Sequence, residues 1–235
     1  MKKKKFSVIV ADPPWPFKDS LKMSDVKRGA EANYHTMTIS DIQQLDVKSI
    51  CNPSGAVLCL WVPGSLLQEG LDTMKAWGFT HKQTFVWVKT KKHKFDRFIK
   101  WIKKSVLRHQ QVCYDKFAYD RAINAVIENL SRVSLFDELA FGMGRLFRQS
   151  HEICLVGISD NRIYKKLKNK SQRSVIFAEN LRHSAKPDDL QDSLEAMFPK
   201  AHKLEMFARR VKAGWTCLGD EIDGKDIRDA LAELK

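Results

Sequence analysis

Cysteine pairs and glycine-rich phosphate loops are both missing from this sequence of 235 residues. Its five cysteines are odd in number and no two form a C-x-x-C pair, so their spacing predicts neither a zinc site nor a disulfide framework. Reduced, mostly buried thiols of a cytoplasmic protein, with no bound metal, are the expectation. The absence of a G-x-G-x-x-G motif argues against a bound dinucleotide.

Long apolar runs and acidic residues are also scarce. No apolar run approaches the roughly 20 residues that a membrane-spanning helix needs. The charged start leads directly into an apolar strand, which predicts that no signal peptide is present. Asp and Glu number 28 against 41 Lys and Arg, a formal net charge of +13. This excess indicates a polyanionic partner, nucleic acid before membrane, although a generally basic solvated surface would give the same count.

The chain begins with a strand signal that stops abruptly. Residues 7–11 are an almost unbroken apolar run, followed by Asp12, Pro13, Pro14 and Trp15. The run predicts a strand buried on both faces. Because the prolines lack N–H groups and fix φ, the ladder must end there. Asp12 is therefore expected at the carboxyl end of a strand, where open α/β sheets place ligand sites, unless the turn merely terminates the strand.

The following segment, residues 18–33, is polar and shows no periodicity, which predicts a mobile loop over this site. It leads to Tyr34 and His35, the two candidate substrate-binding residues of this region. Tyr34 is either a second aromatic side chain against a base or an ordinary packing residue. His35 is more typical of a hydrogen-bonding loop residue than of a base.

The rest of the chain alternates between apolar strands and helices within a single domain over residues 1–235. This alternation predicts parallel βαβ units. Strands are expected at residues 56–62, 84–89, 153–157, 174–178, 203–210 and 214–223, and helices begin near Ser40 and cover 66–77 and 188–197. Residues 160–173, between the strands expected at 153–157 and 174–178, are predicted to form a basic loop. The last two strands end in charged residues, which suits a cofactor with a carboxylate and a ribose.

Residues 90–139 interrupt this rhythm as a basic insert. Its apolar residues recur at helical spacing and predict two amphipathic helices. Lys100, Lys104 and Arg108 follow i, i+4 spacing and share one side of the first helix. The insert is interpreted as a phosphate-contacting element that binds substrate through these three residues, with a solvated helical face as the alternative.

The four residues from Asp12 to Trp15 resemble the catalytic motif of N6-adenine methyltransferases, which is an Asp or Asn, two prolines and an aromatic residue. The exocyclic amine of adenine is a poor nucleophile because its lone pair is delocalised into the ring. The Asp12 carboxylate and the Pro13 carbonyl would accept its two N–H bonds, and the prolines would hold both acceptors rigid. Trp15 would offer a face on which an extruded base can stack.

Over nearly its whole length outside the insert, the chain is similar to the MT-A70 family, the relatives of the eukaryotic mRNA N6-adenosine methyltransferase catalytic subunit. The resemblance is carried by Asp12 to Trp15, Tyr34 to Met37, Leu60 to Val62, Trp87 to Thr90, Gly142 to Glu152, His183 to Pro187, Glu205 to Arg209 and Trp215 to Glu221.

This resemblance implies an α/β, Rossmann-like, S-adenosylmethionine-dependent methyltransferase fold of permuted order, with the catalytic strand first and the cofactor strand last. Lys186 matches the family position that meets the methionine carboxylate. Around the ribose and its neighbours it implies Glu205, Phe207, Arg209, Asp220 and Glu221, with Asp12 close to both cofactor and amine. Ala208 stands where relatives often have glycine.

The function implied is N6-adenine methylation of nucleic acid, DNA before RNA. RNA adenosine methylation remains open, as does a non-catalytic nucleic-acid-binding subunit of a methyltransferase heterodimer. The intact tetrad and Lys186 argue against the latter. Cytosine N4 methylation is disfavoured because relatives with that chemistry usually begin the tetrad with serine. Whether the chain is a monomer or a dimer stays open.

Overall fold

The computed structural model describes residues 4–16, 36–92, 135–140, 142, 146–180 and 185–235, and single positions of the insert at 100, 103, 104, 120, 121, 123, 124 and 128. Seven strands of this described part form one sheet in the order β5-β3-β4-β2-β1-β6-β7. They are β1 (Val8–Ala11), β2 (Val57–Val62), β3 (Thr80–Thr90), β4 (His151–Ile158), β5 (Val175–Glu179), β6 (Lys203–Met206) and β7 (Trp215–Leu218).

Parallel pairing surrounds the first strand. β1 pairs in parallel with β2 and with β6, and β6 pairs in parallel with β7. β4 departs from the predicted parallel βαβ pattern, because it runs antiparallel to β2 with Val62 opposite Ile153. The apolar composition of β4 indicates only that the strand is buried. It does not indicate whether the strand runs parallel or antiparallel to its neighbours. The sheet is therefore mixed, and the expected α/β, Rossmann-like class is confirmed.

Five α-helices accompany these strands in the described part. They are α1 (Ile39–Gln43), α2 (Leu67–Ala76), α3 (Asp189–Met197), α4 (Asp220–Asp223) and α5 (Ile227–Glu233). Thr38, rather than the expected Ser40, caps α1 by accepting a hydrogen bond from the Asp41 backbone N–H. Residues Asn161–Lys166, predicted as loop, form a 3₁₀ helix, and α5 was not predicted.

The core lies under β1 and β2, whose residues are all buried. Side chains of α1, α2 and α5, among them Ile42, Met74 and Leu231, belong to the same apolar cluster as Ile9. The Trp77 indole N–H at the end of α2 donates to the Ile42 carbonyl at 2.9 Å, so the two helices are joined where they meet. Asp12, which follows β1, is therefore attached to a strand that is packed in the core.

The chain divides into two compact units. The first comprises Met1–Trp87, Glu152–Ile176 and Asp188–Lys235, and it holds all five α-helices. The second comprises Val88–His151 and Phe177–Pro187, and so contains the basic insert. The described positions of the insert, which are 100, 103, 104, 120, 121, 123, 124 and 128, are helical and have exposed side chains. The two amphipathic helices predicted for the insert stay a prediction, because most of their residues lie outside the described ones. Within the described residues no helix is both long enough and apolar enough to cross a bilayer.

Four of the five thiols lie in the described residues, and two of the four are buried, where a majority was expected. Cys51, Cys59, Cys154 and Cys217 are all free, and Cys59 and Cys154 are buried. Burial raises the pKa of the Cys51 thiol to about 12, with the nearby Asp46 carboxylate adding to the rise. Cys113 lies outside the described residues. A thiol with so high a pKa stays protonated and unreactive at neutral pH.

Candidate active site

Backbone hydrogen bonds fix the turn that follows β1. The Asp12 N–H reaches the Met206 carbonyl at 3.5 Å, which extends the pairing of β1 with β6 by one residue. The Trp15 N–H donates to the Pro13 carbonyl at 2.8 Å, and the Met37 N–H donates to the Pro14 carbonyl at 3.0 Å. A carbonyl oxygen has two lone pairs, so that of Pro13 keeps a second acceptor position. Asp12 thus lies half-buried at the carboxyl end of β1, as expected.

The Trp15 side chain corrects one expectation. Its ring is only 3% exposed and belongs to the apolar core, and its indole N–H donates to the Trp61 carbonyl of β2 at 2.8 Å. The ring is therefore not the open stacking platform that the motif suggested. A tryptophan is buried when its N–H finds an acceptor, and here the end of β2 supplies one. In this structure Trp15 positions the turn that carries Asp12.

Glu205 is the second carboxylate at this end of the sheet. It lies in β6 opposite Val10 of β1 and opposite Cys217 of β7. The Gln191 amide of α3 donates to its Oε2 atom at 2.7 Å. Gln191 is itself only 5% exposed, so this bond is made in a largely dry environment. Gln191 escaped the sequence analysis because a glutamine in an amphipathic helix normally faces solvent.

The electrostatic surroundings of Glu205 are mixed. Burial raises the pKa of its carboxyl above the usual value near 4.5, and the Gln191 hydrogen bond opposes that rise. The Arg210 guanidinium also lowers this pKa, while the carboxylates of Asp12 and Asp188 raise it. The Asp12 carboxylate is therefore close enough to Glu205 to raise the pKa of that carboxyl. Two half-buried carboxylates at adjacent strand ends suit a ligand with hydroxyl groups and a positive charge.

Removing the Gln191 amide should destabilise the protein in a pH-dependent way. A carboxyl with a raised pKa in the folded state contributes stability below its usual pKa and loses it as pH rises through the raised value. Gln191→Leu removes a hydrogen bond to the ionised Glu205 carboxylate, so the pKa of Glu205 should rise further. The stability that is lost at neutral pH should therefore become larger. We expect the free energy of unfolding to fall by about 1–3 kcal/mol at neutral pH and by less below pH 4.5.

Urea denaturation of Gln191→Leu at both pH values measures this difference. Gln83→Leu, on an exposed position of β3, is the matched control and should change little at either pH. In a Glu205→Gln background the Gln191→Leu loss should no longer depend on pH. A loss of the same size at both pH values in the native background would contradict the role given to the hydrogen bond.

The ends of β6 and β7 interlock beyond Glu205. Phe207 follows β6 with φ of +62°, a left-handed conformation that is uncommon for a residue with a side chain. The next residue, Ala208, donates its N–H to the Leu218 carbonyl at 2.8 Å and is only 2% exposed. Its methyl group is thus packed away rather than projecting into an open surface. A Cβ on Gly219 would lie 2.3 Å from the Ala208 carbonyl oxygen, so the two turns are in direct backbone contact.

Two of the predicted cofactor-binding residues form an ion pair next to this contact. Arg209 Nε lies 3.6 Å from Glu221 Oε1. Asp220 and Glu221 open the short helix α4 immediately after Gly219. The pair is half-exposed, so it contributes little to the stability of the fold. Its effect is to hold the two side chains near each other. Arg209 and the acids Asp220 and Glu221 therefore lie side by side after β6 and β7.

Helix α3 anchors the connection between β6 and β7. Arg210 pairs with Asp188 at the start of α3, and Lys212 Nζ lies 2.6 Å from Asp192 Oδ1. The Trp215 indole N–H donates to Glu195 Oε1 at 2.6 Å. Acids in the first turn of a helix also suit its dipole. The residues after β6 are consequently held by α3 as well as by β7.

The structure brings together part of the predicted residue set. Asp12, Pro13 and Pro14 lie at the end of β1, and Glu205, Phe207, Arg209, Asp220 and Glu221 lie at the ends of β6 and β7. Lys186 belongs to the second unit, where it is half-buried two residues before Asp188. Lys100 and Lys104 are exposed positions of the insert. Tyr34, His35 and Arg108 lie outside the described residues. No cluster that could hold a metal ion occurs in the part of the chain that the structure covers.

Comparison with known proteins gives consistent matches. The chain is similar to the N(6)-adenosine-methyltransferase MT-A70-like protein of Arabidopsis thaliana, at 27% identity over 93% of this chain and 24% of the relative. It is 24% identical to the human N(6)-adenosine-methyltransferase catalytic subunit METTL3 over 96% of this chain and 30% of that protein. The type II methyltransferase M.MunI of Mycoplasma sp is 25% identical over 96% of this chain and 81% of its own length. The chain thus spans about a quarter of the plant relatives.

The family model places the whole sheet and the strand-end residues in one known group. The MT-A70 model matches residues 6–111 and 96–221, which together include Asp12 and Glu205. This match covers most of the chain and agrees with the mixed seven-stranded sheet. The chain belongs to the MT-A70 family.

Proposed function

We propose that this chain is an S-adenosylmethionine-dependent N6-adenine methyltransferase that acts on nucleic acid, with DNA as its substrate. The observation that carries the proposal is the position of Asp12, which lies at the carboxyl end of β1 in a turn fixed by three backbone hydrogen bonds. An acceptor held so rigidly can stabilise charge that develops during a reaction without having to reorganise.

Residues of the first unit fit the cofactor by their chemistry. Its ribose hydroxyls need acceptors, which Glu205, Asp220 and Glu221 supply at the ends of β6 and β7. Its sulfonium carries the positive charge that the Asp12 and Glu205 carboxylates favour. Lys186 would meet its carboxylate, because it matches the family position with that role. When bound, S-adenosylmethionine supplies an electrophilic methyl group.

The chain's own part in the reaction is to prepare the adenine amine. The Asp12 carboxylate and the second lone pair of the Pro13 carbonyl accept its two N–H bonds and draw the nitrogen toward a tetrahedral geometry. This geometry would direct the nitrogen lone pair at the methyl group that bound S-adenosylmethionine would give up from its sulfur. The amine then carries one excess proton, which passes to Asp12 or to water. Trp15 holds the turn in place through the Trp61 carbonyl.

The choice of DNA over RNA rests on the similarity to a type II methyltransferase. The chain covers 81% of the type II methyltransferase M.MunI, but only 24% of the Arabidopsis N(6)-adenosine-methyltransferase. Its net charge of +13 suits a phosphodiester backbone of either kind. RNA adenosine methylation is the second candidate, because most of the similar proteins carry adenosine in their names.

A labelled-methyl transfer assay tests the proposal. Matched DNA and RNA oligonucleotides of random sequence are incubated with methyl-labelled S-adenosylmethionine, and the product base is identified by mass spectrometry. We expect N6-methyladenine in DNA. Label in RNA alone would support the second candidate. Cofactor binding without any transfer would point to a non-catalytic subunit.

Lys186→Ala should weaken cofactor binding before it affects the chemistry. A charge-assisted hydrogen bond is worth roughly 1.5–3 kcal/mol, which corresponds to about ten- to a hundred-fold in dissociation constant. Calorimetric titration with S-adenosylmethionine measures it. Lys200→Ala, at an exposed position after α3, is the matched control. An unchanged dissociation constant in Lys186→Ala would show that the family role does not apply at this position.

The insert should contribute to substrate binding through its cations. Changing Lys100, Lys104 and Arg108 together to Gln should flatten the slope of log K against log salt by about two to three units, since each phosphate contact contributes about 0.7–0.9. Cofactor affinity should not change. Fluorescence titrations of a labelled oligonucleotide at several salt concentrations measure the slope. The same slope in variant and native protein would favour a solvated helical face.

A further inference from the structure

A second group of cations lies in the first unit, outside the candidate active site. Between Asp160 and Glu179 the chain has no acidic residue but six basic ones. Residues 162–173 are called the basic segment here; its cations are Arg162, Lys165, Lys166, Lys168, Lys170 and Arg173. Neither the family match nor the proposed chemistry assigns it a role.

Several contacts hold the basic segment firmly on the sheet. The Arg162 guanidinium bonds both Asp160 and the Pro53 carbonyl, and Lys166 Nζ donates to Ser7 Oγ at 3.2 Å. Ile163 is fully buried, and the Lys168 backbone N–H donates to the Met197 carbonyl at 2.8 Å. The segment is therefore a fixed surface rather than a loose tail.

The remaining cations of the segment point to solvent. Lys165, Lys168, Lys170 and Arg173 are exposed, and none of the four has an ion pair with an acid among the residues that the structure describes. Three other exposed cations contrast with them: Lys225 pairs with Glu233, Arg228 with Asp41 and Lys235 with Asp46. Fixed cations without carboxylate partners retain their full field for an external polyanion.

An aromatic side chain stands among these lysines. Tyr164 is 51% exposed, and it is the one exposed large hydrophobic side chain between residues 161 and 173. An aromatic face beside cations is the arrangement that stacks a base while phosphates are neutralised.

The basic segment lies at the opposite end of β1 from Asp12. Lys166 contacts Ser7, immediately before the strand, whereas Asp12 immediately follows it. Five residues of extended chain separate these ends by roughly 16 Å. At the stacked spacing of about 3.4 Å per nucleotide, a strand reaches the segment about five nucleotides from the target base.

We propose that the basic segment is a second nucleic-acid contact surface, which binds phosphates of the substrate outside the nucleotides that enter the active site, with Tyr164 as a stacking face. This inference rests on the proposed function for the nature of its partner. It assigns to the segment affinity for long substrates and leaves the chemical step to the carboxyl ends of the strands.

A charge-matched pair of variants tests the surface directly. The first variant is Lys165→Gln, Lys168→Gln and Lys170→Gln together, and the control is Lys225→Gln, Arg228→Gln and Lys235→Gln, which loses the same charge. Binding of a labelled DNA oligonucleotide of about 30 nucleotides is titrated at several salt concentrations. The slope of log K against log salt should flatten by about two to three units in the first variant and stay unchanged in the control. Equal changes in both would show that only net charge matters and would overturn the proposal.

Substrate length gives the second readout. With the long substrate, the first variant should raise KM and leave kcat unchanged. With a substrate of about four nucleotides, too short to reach the segment, variant and native protein should have the same KM. A rise in KM that does not depend on length would mean that the substitutions disturb the fold and not a contact.

Two further outcomes separate this inference from the proposed function. In one outcome the native protein binds DNA in a salt-dependent way that the first variant loses, but the native protein transfers no methyl group. This result would support the second contact surface and contradict the proposed function. In the other outcome the native protein transfers methyl groups, but the first variant has the native salt slope. This result would support the proposed function and contradict the second contact surface. Binding of phosphatidylserine vesicles through these lysines, with no effect on oligonucleotides, would also overturn the proposal.

Discussion

Replacing Asp12 by alanine should slow methyl transfer by about a hundred- to a thousand-fold, because one preorganised acceptor is typically worth that much in rate. The turn itself should survive, since it is held by backbone bonds of Pro13, Pro14 and Asp12 rather than by the carboxylate. Trp15 also remains bonded to β2. The loss is therefore expected in kcat, with cofactor affinity within a few-fold of the native value.

Two comparisons make the Asp12 result interpretable. Asp12→Asn keeps an acceptor oxygen and corresponds to the other form of the motif, so it should retain more activity than Asp12→Ala. Asp72→Ala, at an exposed position of α2, removes a carboxylate of the same type and should leave turnover unaltered. Turnover of Asp12→Ala within about ten-fold of native would remove Asp12 from the catalytic role.

Gly219→Ala should have the largest structural effect. The added Cβ would lie 2.3 Å from the Ala208 carbonyl oxygen and 2.8 Å from its nitrogen, and these are backbone atoms that cannot rotate away. The turns after β6 and β7 would have to separate. Overpacking of this kind costs about 1–3 kcal/mol of stability. Because Arg209, Asp220 and Glu221 stand on these turns, cofactor affinity should fall as well.

Denaturant titration and calorimetry with S-adenosylmethionine measure the two effects of Gly219→Ala. Gly64→Ala is the control, because a Cβ at Gly64 meets no atom within 4 Å and its φ is not in the left-handed region. That variant should be close to native in both measurements. A Gly219→Ala protein of native stability and affinity would show that the contact between the two turns can relax without consequence.

The sequence predicts the site where a local signal marks the end of a strand. Apolar residues followed by Asp12 and two prolines place that carboxylate at the carboxyl end of β1. In the same way, the charged residues after β6 and β7 are placed at the ends of those strands. Information that depends on a distant partner is not visible in this way. Trp15 is buried because β2 offers a carbonyl, and Gln191 is buried because Glu205 needs a donor. The reversed direction of β4 similarly depends on its neighbours.

The register of β1 has a consequence for synthesis of the protein. Val8 pairs with Val57 on one side and with Lys203 on the other. β1 therefore lacks its second neighbour, β6, until Lys203 has been synthesised. At about 5–20 residues per second, the roughly 200 intervening residues take about 10–40 s to translate. During that interval one edge of an entirely apolar strand is open to wrong partners. Asp12 and Glu205 come together only when β6 has docked on β1, so the proposed site cannot form before residues 203–206 have been made.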